Sequence, residues 1–228
     1  KSFKKNLLDL YDVDIFFHTW SSEYDKNILT LYNPKKSIIE KQIMFDTNLD
    51  EYSLNYIEYY NEVDNLNFKN QSSKKYYEDF VFRTKSRWHS QITSLELLNE
   101  YKIKNKIQYN FVVQTRFDII MKKKLDFENL NLDVMHLVIG SNHNKSQLLD
   151  TLFVSNYDNA VKFIKLKNKL NEYPICPTNL LPIFLRKEKI PFKNSFEFKE
   201  NPTHRYNYKY YEITILKKIV ILIIARIL

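Results

Sequence analysis

Glycine is nearly absent from this chain. One residue in 228, Gly140, leaves no room for a Walker phosphate loop or a glycine-rich dinucleotide fingerprint. Cysteine is equally scarce. Cys176 alone excludes an intramolecular disulfide framework and any zinc module built from several thiolates, and it fits a reducing compartment. Its plainest role is that of a small buried residue. No Gly-x-Ser-x-Gly nucleophile elbow occurs. His89, His136, His143 and His204 show no His-x-x-x-His type of spacing, so the sequence assigns no zinc.

What is present describes a folded domain. Hydrophobic residues make up 44% and charged residues 27%, ordinary proportions for a globular chain. The length suits one domain with a small appendage. Lys and Arg number 35 against 27 Asp and Glu, a net charge of +8. The lysines are spread along the chain and form no stripe. An anionic partner is compatible with this charge, and nucleic acid is only one kind.

Apolar patterning predicts alternating strands and helices. Residues 3–11 read as a short amphipathic helix. Val13 to Thr19 is apolar, β-branched and aromatic, a buried strand ending at His18 and Trp20. A short element at 28–32 follows, then a sheet-edge segment at 38–45. Residues 46–80 are polar and read as an excursion from the domain. Trp88, Ile92, Leu95, Leu98 and Tyr101 mark one face of a helix over 87–101. Strands are expected at 109–115, 134–139, 152–154 and 191–199. Helices are expected from the Ser155-Asn156 cap to about Tyr173, and from Pro177 to about Lys187. This alternation predicts an α/β fold with a mainly parallel sheet, its ligands at the C-terminal ends of the strands.

Thr115-Arg116-Phe117-Asp118 directly follows an apolar strand. Positions two apart share a face of an extended segment, so Arg116 and Asp118 should project together. A carboxylate there can hold a divalent cation that bridges phosphates. A guanidinium can grip phosphate oxygens with its fork of donors. The tetrapeptide alone reads more plainly as an Arg–Asp pair neutralising itself at the sheet edge. Asp150 alone reads as a turn or helix cap. His18 and Trp20 read equally as stacking groups for a base or sugar and as packed core residues.

The ordered segments VDIFFHTW, RWHSQITSLELLNEY, YNFVVQTRFDIIM and GSNHNKSQLLDTLFVSNYDNAVKF resemble those of bacterial surface-polysaccharide glycosyltransferases. That group, of lipopolysaccharide and capsule clusters, is similar to the GT-A nucleotide-sugar transferases. The resemblance spans about residues 2–190. It implies a GT-A-like, Rossmann-like sheet flanked by helices over 1–205. It implies a cytoplasmic enzyme that moves a sugar from a nucleotide-sugar donor to a glycan or lipid-linked glycan acceptor. Asp118 matches the second acid of the Asp-x-Asp that holds Mg2+ or Mn2+ against the donor diphosphate, while Arg116 replaces the first. Asp150 matches the acceptor-facing acid, a candidate general base. Arg87, Ser90 and Ser94, with His18 and Trp20, fall at the donor pocket. Such chains usually open with a further strand that lies before Lys1, so the expected sheet lacks its first strand or the sequence is cut before it. Asn179 or Thr178 stands where an acid is common in the segment Cys176 to Leu181.

Residues 206–228 read as a basic, apolar tail. Its apolar stretch from Ile213 to Leu228 is broken by Lys217, Lys218 and Arg226, too short and interrupted to span a bilayer. It suits peripheral contact with the inner face of the membrane, and equally a core helix or dimer contact. Two other functions remain open from the residues: a non-catalytic basic module for nucleic acid or an anionic surface, and a degenerate transferase that only binds glycan.

Overall fold

The computed structural model describes residues 4–47, 71–116, 119–121, 124, 126–127, 129–139, 148–174, 176–196, 203–205 and 221–227. The expected excursion therefore lies largely outside the described residues, as do Phe117, Asp118 and residues 206–220. The fold is α/β. In chain order its elements are β1 (Val13–Trp20), α1 (Asp25–Tyr32), β2 (Lys36–Glu40), α2 (Gln71–Asn105), β3 (Tyr109–Arg116) and β4 (Ile119–Met121). Then come β5 (Met135–Ile139), β6 (Leu148–Ser155), α3 (Tyr157–Val161), α4 (Pro177–Lys187), β7 (Phe192–Phe196), β8 (Thr203–Arg205) and β9 (Ile221–Ile227).

Seven strands form one sheet in the order β2-β1-β9-β3-β6-β5-β7, and β4 pairs with β8 separately. β1–β2 and β5–β7 are parallel pairs, while β9 and β6 run antiparallel to both of their neighbours. The expected mainly parallel sheet is corrected here: the sheet is mixed, and β1 and β3 are not adjacent. β9 lies between them, with Ile224 opposite both Ile15 and Val113. The segment expected as the end of an appended tail is thus a central strand. A near-continuous run of Ile, Leu and Ala is the sequence pattern of a strand inside a sheet. Because β9 opposes both β1 and β3, those two run in the same direction. Their C-terminal ends, Trp20 and Arg116, share one rim, and the N-terminal end of β6 lies there too.

Period-two alternation sends side chains to two cores. Phe16, Val112, Met135 and Phe153 pack with Trp88, Ile92, Leu95 and Leu98 of α2 on one face. Ile15, Phe17, Phe111, Val113, Leu152 and Val154 pack with Leu7 and Phe127 on the other. The expected helix over 87–101 falls in the C-terminal half of α2, whose 35 residues make it about 52 Å long. Asn156 caps α3 as expected, accepting from the Asn159 N–H at 2.9 Å. The chain then tightens into 3-10 turns over Lys162–Asn168 and Leu170–Glu172 in place of one continuous helix. Pro177 opens α4 as predicted. Residues 28–32 belong to α1, and Lys4–Leu8 makes a single π turn, not an amphipathic α-helix. With glycine so scarce, Asn33, Lys106 and Lys189 take the left-handed positions after helices. Among the described residues, no helix is long and apolar enough to cross a membrane.

Candidate functional site

The rim shared by the ends of β1, β2, β3 and the start of β6 collects the polar side chains, and α2 crosses above it. Ser86, Ser90 and Ser94 recur every four residues and so form one stripe on α2. Small hydroxyl side chains let β1 approach closely. Trp20 Nε1–H donates to Ser86 Oγ at 2.8 Å, and the His18 backbone N–H donates to Ser94 Oγ at 2.9 Å. His18 Nδ1 lies 2.9 Å from Ser90 Oγ. Ser90 and Ser94, expected beside a donor, are fully buried, with hydroxyls engaged by β1 and by the helix backbone.

Two constellations sit along this rim. In the first, Glu40 Oε1 lies 2.8 Å from His18 Nε2 and 3.1 Å from His89 Nε2. The Trp20 indole stacks on the His89 ring, with centroids 5.3 Å apart and planes 18° apart. His18 is wholly buried, whereas the His89 and Glu40 side chains are 30% and 37% exposed. Phe45, Lys85, His89, Thr93, Lys167 and Asn171 line an adjoining cavity of about 340 Å3.

In the second, the Arg87 guanidinium pairs with the Asp150 carboxylate and also donates to the Asp150 carbonyl. Gln91 donates its amide to Gln114 Oε1 at 2.6 Å. Gln91, Gln114, Thr115, Arg116 and Asp150 line one narrow recess, and Gln114 Nε2 is buried there without a partner among the described residues. A register irregularity helps to place Asp150. Leu137 of β5 faces Phe153, yet the next residue, Val138, faces Leu149. Residues 150–152 are thereby released from β5 pairing, as bulges commonly do beside sites.

The structure thus gathers His18, Trp20, Ser90 and Ser94 in one place, and Arg87, Arg116 and Asp150 in another. Asp118 lies outside the described residues. Glu40, Gln91 and Gln114 were missed from the sequence, and His89 was set aside for want of ligand spacing. Glu40 had a faint signal, as an acid at the end of an apolar edge strand. His89 is followed directly by Ser90, already a candidate, but its neighbours His18 and Glu40 are 71 and 49 residues away in sequence, and no local spacing shows that. No family model, curated protein or solved structure matches this chain.

Burial holds the His18 imidazole below its ordinary value of 6.5, partly offset by its hydrogen bond to Glu40. His136 is lowered in the same way, chiefly by burial, against the pull of its bond to the Asn131 carbonyl. Both bind protons less readily folded than unfolded. Their contribution to stability is therefore complete above pH 6.5 and is lost as pH falls below it, towards the folded values. The urea midpoint, measured with a chelator present, should drop between about pH 7.5 and pH 5.5 at unchanged m. A flat profile would contradict this.

Proposed function

We propose that the chain is a nucleotide-sugar-dependent glycosyltransferase acting on a cell-surface glycan or lipid-linked glycan at the inner face of the membrane. One observation carries this reading. Arg116 and Asp150, assigned to donor and acceptor by the sequence resemblance, line one narrow recess on the rim where open α/β sheets take their ligands, and Arg87 pairs with Asp150 beside it. The parallel directions of β1 and β3 also support a GT-A-like arrangement, with β9 in the place between them.

In this reading Arg116 grips the donor diphosphate, and its fixed charge stabilises the negative charge developing on the leaving group. Arg87 orients Asp150. The Asp150 carboxylate, held by Arg87, accepts the proton of the attacking hydroxyl. Asp118 would hold the Mg2+ or Mn2+ that bridges the diphosphate. A cation at 116, where the family pattern has an acid, fits a two-carboxylate metal site poorly.

Calorimetric titration of UDP-, GDP- and CMP-sugars, with and without Mn2+, tests the reading. Binding should be saturable for one of them. Arg116→Ala should weaken it at least about tenfold, and Arg116→Lys should restore it only in part, since an ammonium lacks the planar fork. Binding without turnover would identify a degenerate transferase. Absence of donor binding, with salt-sensitive binding to polyanions instead, would replace this reading by the basic-module one.

A further inference from the structure

Hydrogen accounting around His18 leads past the sugar-transfer reading. Ser90 has a single hydroxyl hydrogen. Its Oγ lies 3.1 Å from the Ser86 carbonyl, the back-bond typical of a helical serine, and 2.9 Å from His18 Nδ1. With that hydrogen on the carbonyl, His18 Nδ1 must itself donate to Ser90. The neutral tautomer so fixed leaves a lone pair on His18 Nε2, aimed at Glu40 Oε1. His89 Nε2 approaches the same oxygen from α2. The three atoms all lie within 4.8 Å of one another. A ring-nitrogen lone pair 2.8 Å from a carboxylate oxygen needs a proton or a cation between them.

We propose that His18 Nε2, His89 Nε2 and the Glu40 carboxylate bind one divalent transition-metal ion, zinc by the chemistry of the donor set. Two imidazoles and a carboxylate are the protein ligands of open tetrahedral zinc sites, which keep a fourth position for water or another ligand. The contacts of 2.8 and 3.1 Å are close to the ~3.3 Å edge of a tetrahedron with bonds of about 2.0–2.1 Å. The ligands also sit on three separate, rigid elements. In the β1–β2 ladder His18 faces Ile38 and Trp20 faces Glu40, so His18 and Glu40 share the sheet face covered by α2. Ser90 supplies the outer contact that fixes the tautomer of a metal-bound histidine. Trp20, stacked on His89, holds the second imidazole in place. The exposed edges of His89 and Glu40 give an ion a route from solvent.

The test reads the metal itself, so its outcome is separate from that of the transferase reading. The untagged 228-residue chain is stripped with a chelator and titrated with Zn2+ by calorimetry, and with Co2+ by visible absorption. One ion should bind per chain. Co2+ should give the intense visible bands of a tetrahedral site, and Zn2+ should displace it. His89→Ala and Glu40→Gln should each lower affinity by at least about 100-fold, and Ser90→Ala by about 10–100-fold. His89 and Glu40 are partly exposed, so these two variants should melt near the metal-free parent, which separates lost ligation from lost folding. Three results would overturn the site: no Co2+ spectrum, sub-stoichiometric zinc, or unchanged affinity in a folded His89→Ala chain. In those cases the cluster is a proton-bridged hydrogen-bond network.

Discussion

Asp150→Ala is expected to destabilise the domain by about 3–5 kcal/mol, far more than an ordinary surface carboxylate would. The Arg87 side chain is 5% exposed and that of Asp150 is 16% exposed, so water screens the pair little. Removing the carboxylate takes this ion-pair partner from a buried guanidinium, and most of the loss is that weakened compensation. The double variant Arg87→Met/Asp150→Leu removes both charges and should recover most of the stability, because an apolar pair of similar volume often matches a buried ion pair. Urea unfolding of the three chains measures this. A loss under about 1 kcal/mol in Asp150→Ala would mean the pair behaves as a solvated one. Asp150→Asn keeps volume and hydrogen bonding while removing the base. Under the transferase reading, it should abolish transfer and leave donor affinity within about twofold. Equal loss of both would reject the division of roles between Arg116 and Asp150.

Ile224→Pro should be still more damaging. Ile224 lies in the middle of β9, opposite Ile15 on one side and Val113 on the other. Proline has no N–H for the ladder, and its ring does not fit a strand paired on both edges. A loss of at least about 3 kcal/mol is expected, enough to leave many domains unfolded. Lys36→Pro, at the first residue of edge strand β2, should be much milder. Circular dichroism and denaturant midpoints compare the two. If residues 221–227 were an appended tail, Ile224→Pro would leave the domain's stability unchanged, so the result decides between a central strand and an appendage.

Much of the fold was legible because it is local. A run such as VDIFFHTW can hardly be anything but a buried strand, and β1 begins and ends within it. The 87–101 periodicity found the C-terminal half of α2 but not its length. The turns at its N-terminal end are polar, and helical extension over 71–80 left only a weak apolar signal. The tail went astray for a different reason. An apolar run of that length, taken alone, suits an interfacial helix, a core helix or a strand equally well, and only its partners on β1 and β3 choose among them. The site divided similarly. Arg87, Arg116 and Asp150 were named from motif order, and they do converge. Glu40 was passed over and His89 was dismissed as a ligand, because neither carries a local spacing that announces its chemistry.

By itself, then, the sequence determined strands such as β1, β3 and β5 and the helices around 87–101 and 177–187, that they build an α/β domain, and which families of chemistry its scarce glycine and cysteine exclude. These follow from periodicity and residue type within windows of a few residues. Tertiary structure alone decided that the last strand lies between the first and third, that the sheet is mixed, and that Arg87 closes on Asp150. It alone placed a histidine of β1, a glutamate of β2 and a histidine of α2 around a single point. Each of these depends on a pairing between residues tens to hundreds of positions apart. Such pairings are set by how whole faces bury against one another, and no short stretch of chain encodes them.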